Sequence, residues 1–285
     1  MSETADVVGI VVFQSDFGLR DGAVAAMKGV ASGVDLNLRL YDLTHQIPPY
    51  TIWDGAYRLY QTLEYWPAGT VFVSVVDPGV GSARKSVVAR TKTGHFVVTP
   101  DNGTLTLIAD VYGIAEMREI NEAVNRRTDS HNPYTFHGRD VYAYTGARLA
   151  AGIITFEQVG DLVTEPPLAL DYQRASIQAG QLHGNVPALD IRFGNVWTNI
   201  SHQLAEEFGL TLGQQYRVEV FSGEERVFAG DLPYVNVFAD VEDQGPLIYF
   251  NSLDQLSLAT NLGNFARENG ISHGNEWSVT VSKLG

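Results

Sequence analysis

Residues 70–84 read TVFVSVVDPGVGSAR, and this stretch decides the fold of the first half of the chain. The apolar run from Val71 has the composition of a buried strand, and the turn at Pro78 ends it. Similar strand-like runs alternate with helical ones up to about residue 150, which is the rhythm of βαβ units. The sequence therefore predicts an α/β domain with a mainly parallel sheet, in which ligand sites lie at the carboxyl ends of strands.

The rest of the chain predicts a second domain of different character. Residues 1–165 are expected to form the α/β domain, and residues 166–182, which carry two adjacent prolines, are expected to link it to the second domain. Residues 183–285 contain short β-branched or aromatic runs separated by Gly, Asp and Asn, with one predicted helix at 201–208. Such runs predict a small antiparallel barrel or sandwich.

Charge and residue types limit the chemistry. The 285 residues carry 33 acidic and 19 basic side chains, a formal net charge of −14 that argues against nucleic acid as a partner and suits a cationic or zwitterionic small substrate. Cysteine is absent, which excludes disulfides, thiolate metal sites and cysteine nucleophiles. The first apolar run, from Val7, has no basic segment before it and is too short for a membrane span, so we expect a cytoplasmic protein with no membrane partner.

One carboxylate, one arginine and one histidine are the candidate catalytic residues. Asp77 ends a strand, Arg84 follows seven positions later, and His137 lies in FHGRD ahead of a helix predicted over 141–151. If their loops meet at one edge of the sheet, they form an Asp, Arg, His set. The alternatives are an ordinary turn with solvated charges and a core histidine. GVGSAR matches a dinucleotide fingerprint only in part, because Arg84 occupies the place of its third glycine.

Two further clusters contain candidate binding residues. In SDFGLRD, Asp16 follows the first strand and can accept hydrogen bonds from both hydroxyls of a ribose, whereas Asp21 also fits helix capping. In ALDIRFGNVWTNI, residues that strands disfavour without partners recur, namely Asp190, Asn195 and Asn199. We therefore expect a ligand there.

A metal site is the main competing use of these side chains. The candidate ligands His45, His95, His131 and His137 show neither HxH nor HExxH spacing. We expect no metal.

Together the motifs resemble those of the S-adenosylmethionine (SAM) hydroxide adenosyltransferases, the adenosine-forming SAM hydrolases that are related to the 5′-fluorinase and 5′-chlorinase. Seven motifs occur in the family's order over nearly the whole chain: SDFG, D.TH.IPP, GTVFVSVVDPGVGSAR, TPDNGTL, FHGRDVYA, FGNVWTN and YFNS. The resemblance implies an N-terminal α/β domain and a C-terminal β-barrel. It also implies a homotrimer that can pair into a hexamer, with each site between one subunit's N-terminal domain and the next subunit's C-terminal domain.

The resemblance further implies roles for single residues. Asp77, Arg84 and His137 correspond to the family's catalytic triad, Asp16 corresponds to the ribose-binding aspartate, and Tyr50 stands where the family has a stacking tryptophan. The other implied substrate contacts are Asp190 for the methionine ammonium, Asn195 for the adenine edge, Ser252 for the methionine carboxylate, and Asp21, Phe136, Gly138 and Phe238 elsewhere in the substrate site.

The implied reaction is attack of water or hydroxide on C5′ of SAM, giving adenosine and L-methionine without a cofactor. Asp77 and His137 would hold the water and accept its proton, while Arg84 would fix Asp77. The halogenases have an aromatic residue in place of Asp77, a halide-contacting serine in place of Gly138 and an arginine in place of Leu253. The first two differences favour hydrolysis. The alternatives are a 5′-halogenase, a non-catalytic SAM- or adenosine-binding protein and a metal-dependent hydrolase.

Overall fold

A computed structural model describes residues 7–128, 130 and 135–285, and it divides the chain into two compact units. The first unit runs to Leu170 and the second begins at Asp171, so the division falls inside residues 166–182. Within the described part of the chain, no helix has the length and apolar character needed to cross a membrane.

Within residues 7–128, 130 and 135–170, the first unit contains seven strands and five α-helices. Its strands are β1 (Ile10–Ser15), β2 (Arg39–Thr44), β3 (Val71–Val75), β4 (Ser86–Thr91), β5 (Phe96–Pro100), β6 (Ile114–Glu119) and β7 (Leu162–Val163). Its helices are α1 (Ala23–Val34), α2 (Ile52–Leu63), α3 (Thr106–Val111), α4 (Glu122–Asn125) and α5 (Tyr144–Ala150), and a 3₁₀ turn spans Glu157–Val159. A π-helical turn, Gly138–Ala143, runs directly into α5, so this helix begins before the 141–151 predicted from sequence.

The sheet of the first unit is mixed, which corrects the expectation of a mainly parallel sheet. Its order is β2-β1-β3-β5-β4-β6-β7; the first four strands pair in parallel, and the remaining pairings are antiparallel. The reversal starts at β4 and β5, because the short connection between them closes a hairpin in which the Thr91 amide donates to the His95 carbonyl. A connection this short can join only antiparallel strands.

Helices cover both faces of this sheet. Along β1, Val11 and Phe13 belong to the core cluster that includes Met27 of α1, whereas Ile10 and Val12 belong to the cluster that includes helix α2. This alternation follows the two-residue period of a strand. Because both faces are covered at the centre of the sheet, β3 is buried along its whole length, as the run at Val71–Val75 indicated.

The second unit consists of two antiparallel sheets. Its strands are β8 (Ser176–Gln178), β9 (Gln181–Val186), β10 (Ala188–Leu189), β11 (Val196–Ser201), β12 (Gln215–Ser222), β13 (Glu225–Pro233), β14 (Pro246–Phe250), β15 (Gln255–Thr260) and β16 (Gly274–Lys283). The helical segments are α6 (His202–Phe208), α7 (Phe265–Glu268) and a 3₁₀ turn at Phe238–Asp240.

The two sheets share one apolar core. Their strand orders are β10-β11-β15-β14 and β13-β12-β16-β9-β8, and side chains of both sheets, such as Val196 and Val218, belong to the same buried cluster. The ladders of the described residues form two separate sheets, so the closed barrel expected from the resemblance is not confirmed. The predicted helix at 201–208 is observed as α6, and the Ser201 hydroxyl caps it by accepting from the Leu204 amide over 3.2 Å.

Candidate active site

The loops after four parallel strands meet at one edge of the first unit's sheet. β2, β1, β3 and β5 lie side by side, so their carboxyl ends share an edge. SDFG begins at the end of β1, the D.TH.IPP motif begins in β2, VDPGVGSAR begins directly after β3 and TPDNGTL begins in β5. Asn102 of the last motif donates from Nδ2 to the Val76 carbonyl over 2.9 Å, which joins the loop after β5 to the residue before Asp77.

Asp77 and Arg84 form a two-pronged ion pair directly after β3. Arg84 donates from Nε to Oδ1 of Asp77 over 2.6 Å, and its Nη2 donates to Oδ2. The intervening turn is held by hydrogen bonds from the Val80 amide to the Asp77 carbonyl (3.3 Å) and from the Ser82 amide to the Gly79 carbonyl (3.0 Å). The side chains of Asp77 and Arg84 are only 5% and 10% exposed. The pair that sequence spacing predicted is therefore formed, and it is largely removed from water.

The guanidinium of Arg84 is also held from a second side. Its Nη1 donates to Ser86 Oγ over 3.2 Å, and Ser86 Oγ shares a 3.0 Å hydrogen bond with the hydroxyl of Tyr142. Burial raises the pKa of Tyr142, so its hydroxyl stays protonated. Sequence reasoning missed both residues. Membership of the FHGRDVYA motif is a signal that could have identified Tyr142, whereas Ser86 looks like an ordinary strand residue.

His137 lies directly before the π-helical turn, and its side chain is buried. Burial is the strongest influence on its ring and lowers the pKa of His137. The nearby charges of Arg84 and Asp77 also act on this pKa, the first lowering it and the second raising it. The structure therefore places the three predicted catalytic residues in one electrostatic environment, with Asp77 and Arg84 in direct contact.

A residue that sequence reasoning missed holds the ring of His137. Arg126 donates from Nη2 to Nε2 of His137 over 2.8 Å, and it also forms an ion pair with Glu122 at 2.5 Å. Glu122 raises the pKa of His137 and Arg126 lowers it. The other ring nitrogen, Nδ1, is buried and has no hydrogen-bond partner among residues 7–128, 130 and 135–285. Neither Arg126 nor Glu122 lies in a motif that the sequence singled out.

The predicted ribose aspartate and the predicted stacking aromatic are neighbours. Asp16 Oδ2 accepts a hydrogen bond from the Tyr50 amide over 2.9 Å. Tyr50 has a φ of 69°, an uncommon conformation for a residue other than glycine, and it is 73% exposed. Asp21 accepts from the Ala23 amide at the start of α1 over 2.9 Å, which is the capping role that sequence analysis left open for it.

A chain of hydrogen bonds that runs from buried Ser15 to the surface supports the loop that carries Asp16. Ser15 Oγ lies 2.7 Å from Nδ1 of His45, and Nε2 of His45 lies 3.0 Å from Oδ1 of Asp42. Lys28 donates to the other oxygen of Asp42 over 2.6 Å. Ser15 is completely buried, so its hydroxyl positions the loop and is not an accessible nucleophile. This chain explains why the SDFG and D.TH motifs occur together.

Two aromatic rings enclose Gly138. Phe17 and Phe136 meet edge to face with ring centroids 5.7 Å apart. A Cβ atom added at Gly138 would lie 3.1 Å from a ring carbon of Phe17 and 3.4 Å from one of Phe136. The predicted contact residues Phe136 and Gly138 are therefore adjacent to the SDFG loop, and position 138 has little room for a side chain.

The predicted binding residues of the second unit divide into two kinds. Asn199 accepts from the Asn185 amide over 2.8 Å and donates to the Gln173 carbonyl over 2.7 Å, so its side chain has a structural role. Asp190 Oδ1 accepts from the amides of Arg192 and Phe193, which caps its own turn. These bonds satisfy the polar groups that led us to expect a ligand, although the second oxygen of Asp190 is not engaged in them.

The remaining predicted residues of this unit surround β14. Asn195 is buried and its side chain acts to lower the pKa of Tyr249, although burial raises that pKa more strongly. The ring of Phe238 lies 4.9 Å from the ring of Tyr249, measured between centroids. Ser252 lies in the turn between β14 and β15, where the neighbouring Leu253 amide donates to Asn251 Oδ1 over 2.8 Å. Asn195, Phe238 and Tyr249 thus form one local cluster.

No group of three or more His, Cys, Asp or Glu side chains that could hold a metal ion occurs among the described residues. His131, one of the histidines considered from sequence, lies outside them. His95 and His45 each make hydrogen bonds within the first unit, the former to the Trp66 carbonyl at 2.8 Å.

Comparisons with known proteins place the chain in a family. The models of the SAM hydroxide adenosyltransferase N-terminal and C-terminal domains match residues 11–160 and 184–278. The (R)-S-adenosyl-L-methionine hydrolase of Salinispora tropica is 34% identical, over 95% of this chain and 97% of its own. A fluorinase of Actinopolyspora mzabensis is 29% identical, over 96% of this chain and 97% of its own.

The fold has a solved counterpart. The crystal structure of an uncharacterised conserved protein from Thermotoga maritima matches with a TM-score of 0.88 and 31% identity, covering 96% of this chain and 100% of that one. Two domain matches over most of the length, with the motifs placed as described above, leave one conclusion: this chain belongs to the SAM hydroxide adenosyltransferase family.

Proposed function

We propose that this protein hydrolyses S-adenosyl-L-methionine to adenosine and L-methionine, with water attacking C5′ of the substrate. Family membership and relatives named (R)-S-adenosyl-L-methionine hydrolase support this activity over nearly the whole chain. The structural observation that carries the proposal is the buried Asp77–Arg84 pair at the carboxyl edge of the sheet. The charges of both residues act on the pKa of His137. A buried, charged set of this kind suits activation of a bound water molecule.

The chemistry asks for a nucleophile and for alignment. SAM carries a sulfonium, so the C5′–S bond breaks with its electron pair going to sulfur and leaves a neutral thioether. No acid is needed to assist this leaving group. The new bond joins the water oxygen to C5′, and the water gives up its proton to Asp77 or His137, while Arg84, which has only donors, holds Asp77 in place. A site that holds the water oxygen, C5′ and sulfur in line can lower the activation barrier of the reaction by several kcal/mol.

The residues around Gly138 favour hydrolysis over halogenation. The halogenase pattern has a serine at this position, whereas here an added Cβ would lie 3.1 Å from the Phe17 ring. A serine would therefore require the Phe17 ring to shift by a few tenths of an ångström before its side chain could contact a halide. Asp77, in place of the halogenase aromatic residue, provides a carboxylate that can accept a proton from water, a step that halide attack does not require.

Substrate contacts complete the proposal. Asp16 binds the ribose hydroxyls beside Tyr50, whose ring stacks on the sugar, with Asp21, Phe136 and Gly138 on the same side. In the second unit, Asp190 binds the methionine ammonium, Asn195 and Phe238 bind adenine, and Ser252 binds the methionine carboxylate. A C-terminal barrel, a homotrimer with sites between subunits, pairing of trimers into hexamers, a cytoplasmic location and a cofactor-free reaction stay parts of this proposal.

Incubation with SAM in H₂¹⁸O tests the function directly. We expect adenosine and methionine in equal amounts, with ¹⁸O in the 5′ hydroxyl of adenosine. S-Adenosylhomocysteine is the matched control, because its neutral thioether lacks the sulfonium and should not be cleaved. The same reaction in chloride separates hydrolysis from halogenation, since a halogenase would form 5′-chloro-5′-deoxyadenosine. Binding of SAM without any adenosine would refute hydrolysis and favour a SAM-binding protein.

A further inference from the structure

The hydrogen bond between Arg126 and His137 determines which ring nitrogen of His137 accepts a hydrogen bond and which one carries the proton. An arginine side chain has only donors, so Nε2 of His137, which lies 2.8 Å from Arg126 Nη2, must be the acceptor. A nitrogen that accepts carries no proton. The neutral ring therefore carries its single proton on Nδ1.

This arrangement prevents His137 from acting as the base. Nδ1 could accept a proton only if Nε2 carried one, and a protonated Nε2 would place two donors against each other at 2.8 Å. Burial and the guanidiniums of Arg126 and Arg84 keep the pKa of His137 below its usual value, while Glu122 and Asp77 oppose them. These four charged groups act on the pKa of His137. Two of them lie in α4 and the turn that follows it, and two lie in the loop after β3.

The Nδ1 proton points to a further role. Nδ1 is buried and has no hydrogen-bond partner within the described part of the chain. An unsatisfied buried donor destabilises a protein by about 1–3 kcal/mol, which makes an acceptor at this atom favourable. The oxygen of an attacking water is such an acceptor, since it has two lone pairs.

We propose that Arg126 is a positioning residue, which fixes His137 as a neutral donor through Nδ1, so that His137 orients the attacking oxygen and Asp77 takes its proton. This inference rests on the proposed hydrolysis. As the bond from oxygen to C5′ forms and the bond from C5′ to sulfur breaks, the oxygen becomes that of a protonated alcohol, which is a strong acid. A carboxylate that is paired with Arg84 is basic enough to receive that proton and pass it to solvent.

Glu122 holds the Arg126 guanidinium in position for its hydrogen bond to His137. Arg126 donates to Glu122 Oε2 from Nε at 3.0 Å and from Nη2 at 2.5 Å, so the guanidinium is oriented before it reaches the histidine. The two partners of the pair act on His137 with opposite sign. Removing one or the other should therefore move the pKa of His137 in opposite directions, which loss of packing alone would not do.

The test combines a spectroscopic measurement with a kinetic one. Long-range ¹H–¹⁵N correlation spectra distinguish the two neutral tautomers of histidine, and a His137→Gln variant assigns the signal. We expect the Nδ1–H tautomer in the unmodified protein. Arg126→Met should raise the pKa of His137, whereas Glu122→Gln should lower it while keeping the tautomer. Arg127→Met, which removes a charge from the adjacent position, is the matched control and should leave the His137 signal unchanged.

The kinetic measurement follows the same variants. For Arg126→Met, kcat should fall about tenfold or more at pH 7 with little change in KM, because the ring is no longer held with its donor towards the attacking oxygen. An Arg126→Lys variant, which keeps a donor and the charge, should recover part of the loss. Thermal unfolding of each variant identifies any that fail to fold.

Several outcomes would overturn the inference. An Nε2–H tautomer in the unmodified protein, or an Arg126→Met variant that folds and keeps both the pKa of His137 and kcat, would rule it out. These results differ from failure of the proposed function, in which no adenosine would form from SAM whatever the tautomer of His137.

Discussion

Replacing Asp77 by asparagine tests the centre of the site, because the two side chains have the same shape. Both carboxylate oxygens of Asp77 accept from Arg84, one of them over 2.6 Å. An asparagine has a single acceptor oxygen, so its amide NH₂ must face one of the two guanidinium donors. The substitution therefore removes a charge and sets two donors against each other in a place where the side chains are at most 10% exposed.

The expected loss of stability follows from this geometry. A lost charge-assisted hydrogen bond costs about 1.5–3 kcal/mol, and a buried ion pair that loses one partner costs about 3–5 kcal/mol. Arg84 keeps its bond to Ser86 Oγ, so we expect the lower part of this range, about 3 kcal/mol. For a unit of this size the unfolding midpoint should fall by roughly 6–12 °C. Asp161→Asn, at an exposed aspartate of the same unit, is the matched control.

Turnover should fall much further than stability accounts for. Loss of the proton acceptor should lower kcat by about 10²–10⁴ at a temperature where the variant is folded, while the Kd for SAM changes little. Calorimetry with SAM and chromatography of adenosine separate these effects. Unchanged kcat would refute the assignment of Asp77 as the water-activating carboxylate. Lost SAM binding with kcat preserved at saturation would make it a substrate clamp instead.

Three further predictions concern specificity, binding and cofactors. Gly138→Ser should destabilise the protein by about 1–3 kcal/mol, because the added Cβ contacts the Phe17 ring. The variant should form no 5′-chloro product from SAM in chloride, and detection of one by chromatography would contradict this prediction. Asp16→Asn should raise KM about tenfold to a hundredfold and leave kcat nearly unchanged. The side-chain oxygen of asparagine can still accept from the Tyr50 backbone amide, but the negative charge that would face the ribose is lost. An unchanged KM would show that Asp16 does not bind the ribose. Treatment with EDTA followed by dialysis should leave adenosine release unchanged, and loss of activity that zinc or magnesium restores would establish a metal-dependent hydrolase.

Local patterns predicted the elements of the fold better than their pairing. The run at Val71–Val75 is a buried strand, and the helix predicted at 201–208 is present with Ser201 as its cap. The prediction of a mainly parallel sheet was wrong, because the direction of β4 depends on the tight connection to β5 and not on the composition of the strand itself. Pairing is a long-range property, and a run of β-branched residues fits a parallel or an antiparallel neighbour equally well.

Polar residues in the second unit show a similar limit. Asn199 was expected to meet a ligand because asparagine is unfavourable in a strand without partners. Its partners are backbone groups of Asn185 and Gln173, which are distant in sequence from it. The sequence indicates that such a side chain needs a partner, but only the folded chain shows whether backbone or ligand supplies it.

By itself the sequence determined the family, the reaction class and the candidate triad, because the order of motifs and the short spacing from Asp77 to Arg84 are properties of the chain. Only the tertiary structure decided how the third member is oriented. Arg126 lies eleven residues before His137 and outside any motif, yet its donor reaches Nε2 and so places the ring proton on Nδ1. Which ring nitrogen of a neutral histidine carries the proton depends on the donor or acceptor that contacts each nitrogen, and those contacts exist only in the folded chain.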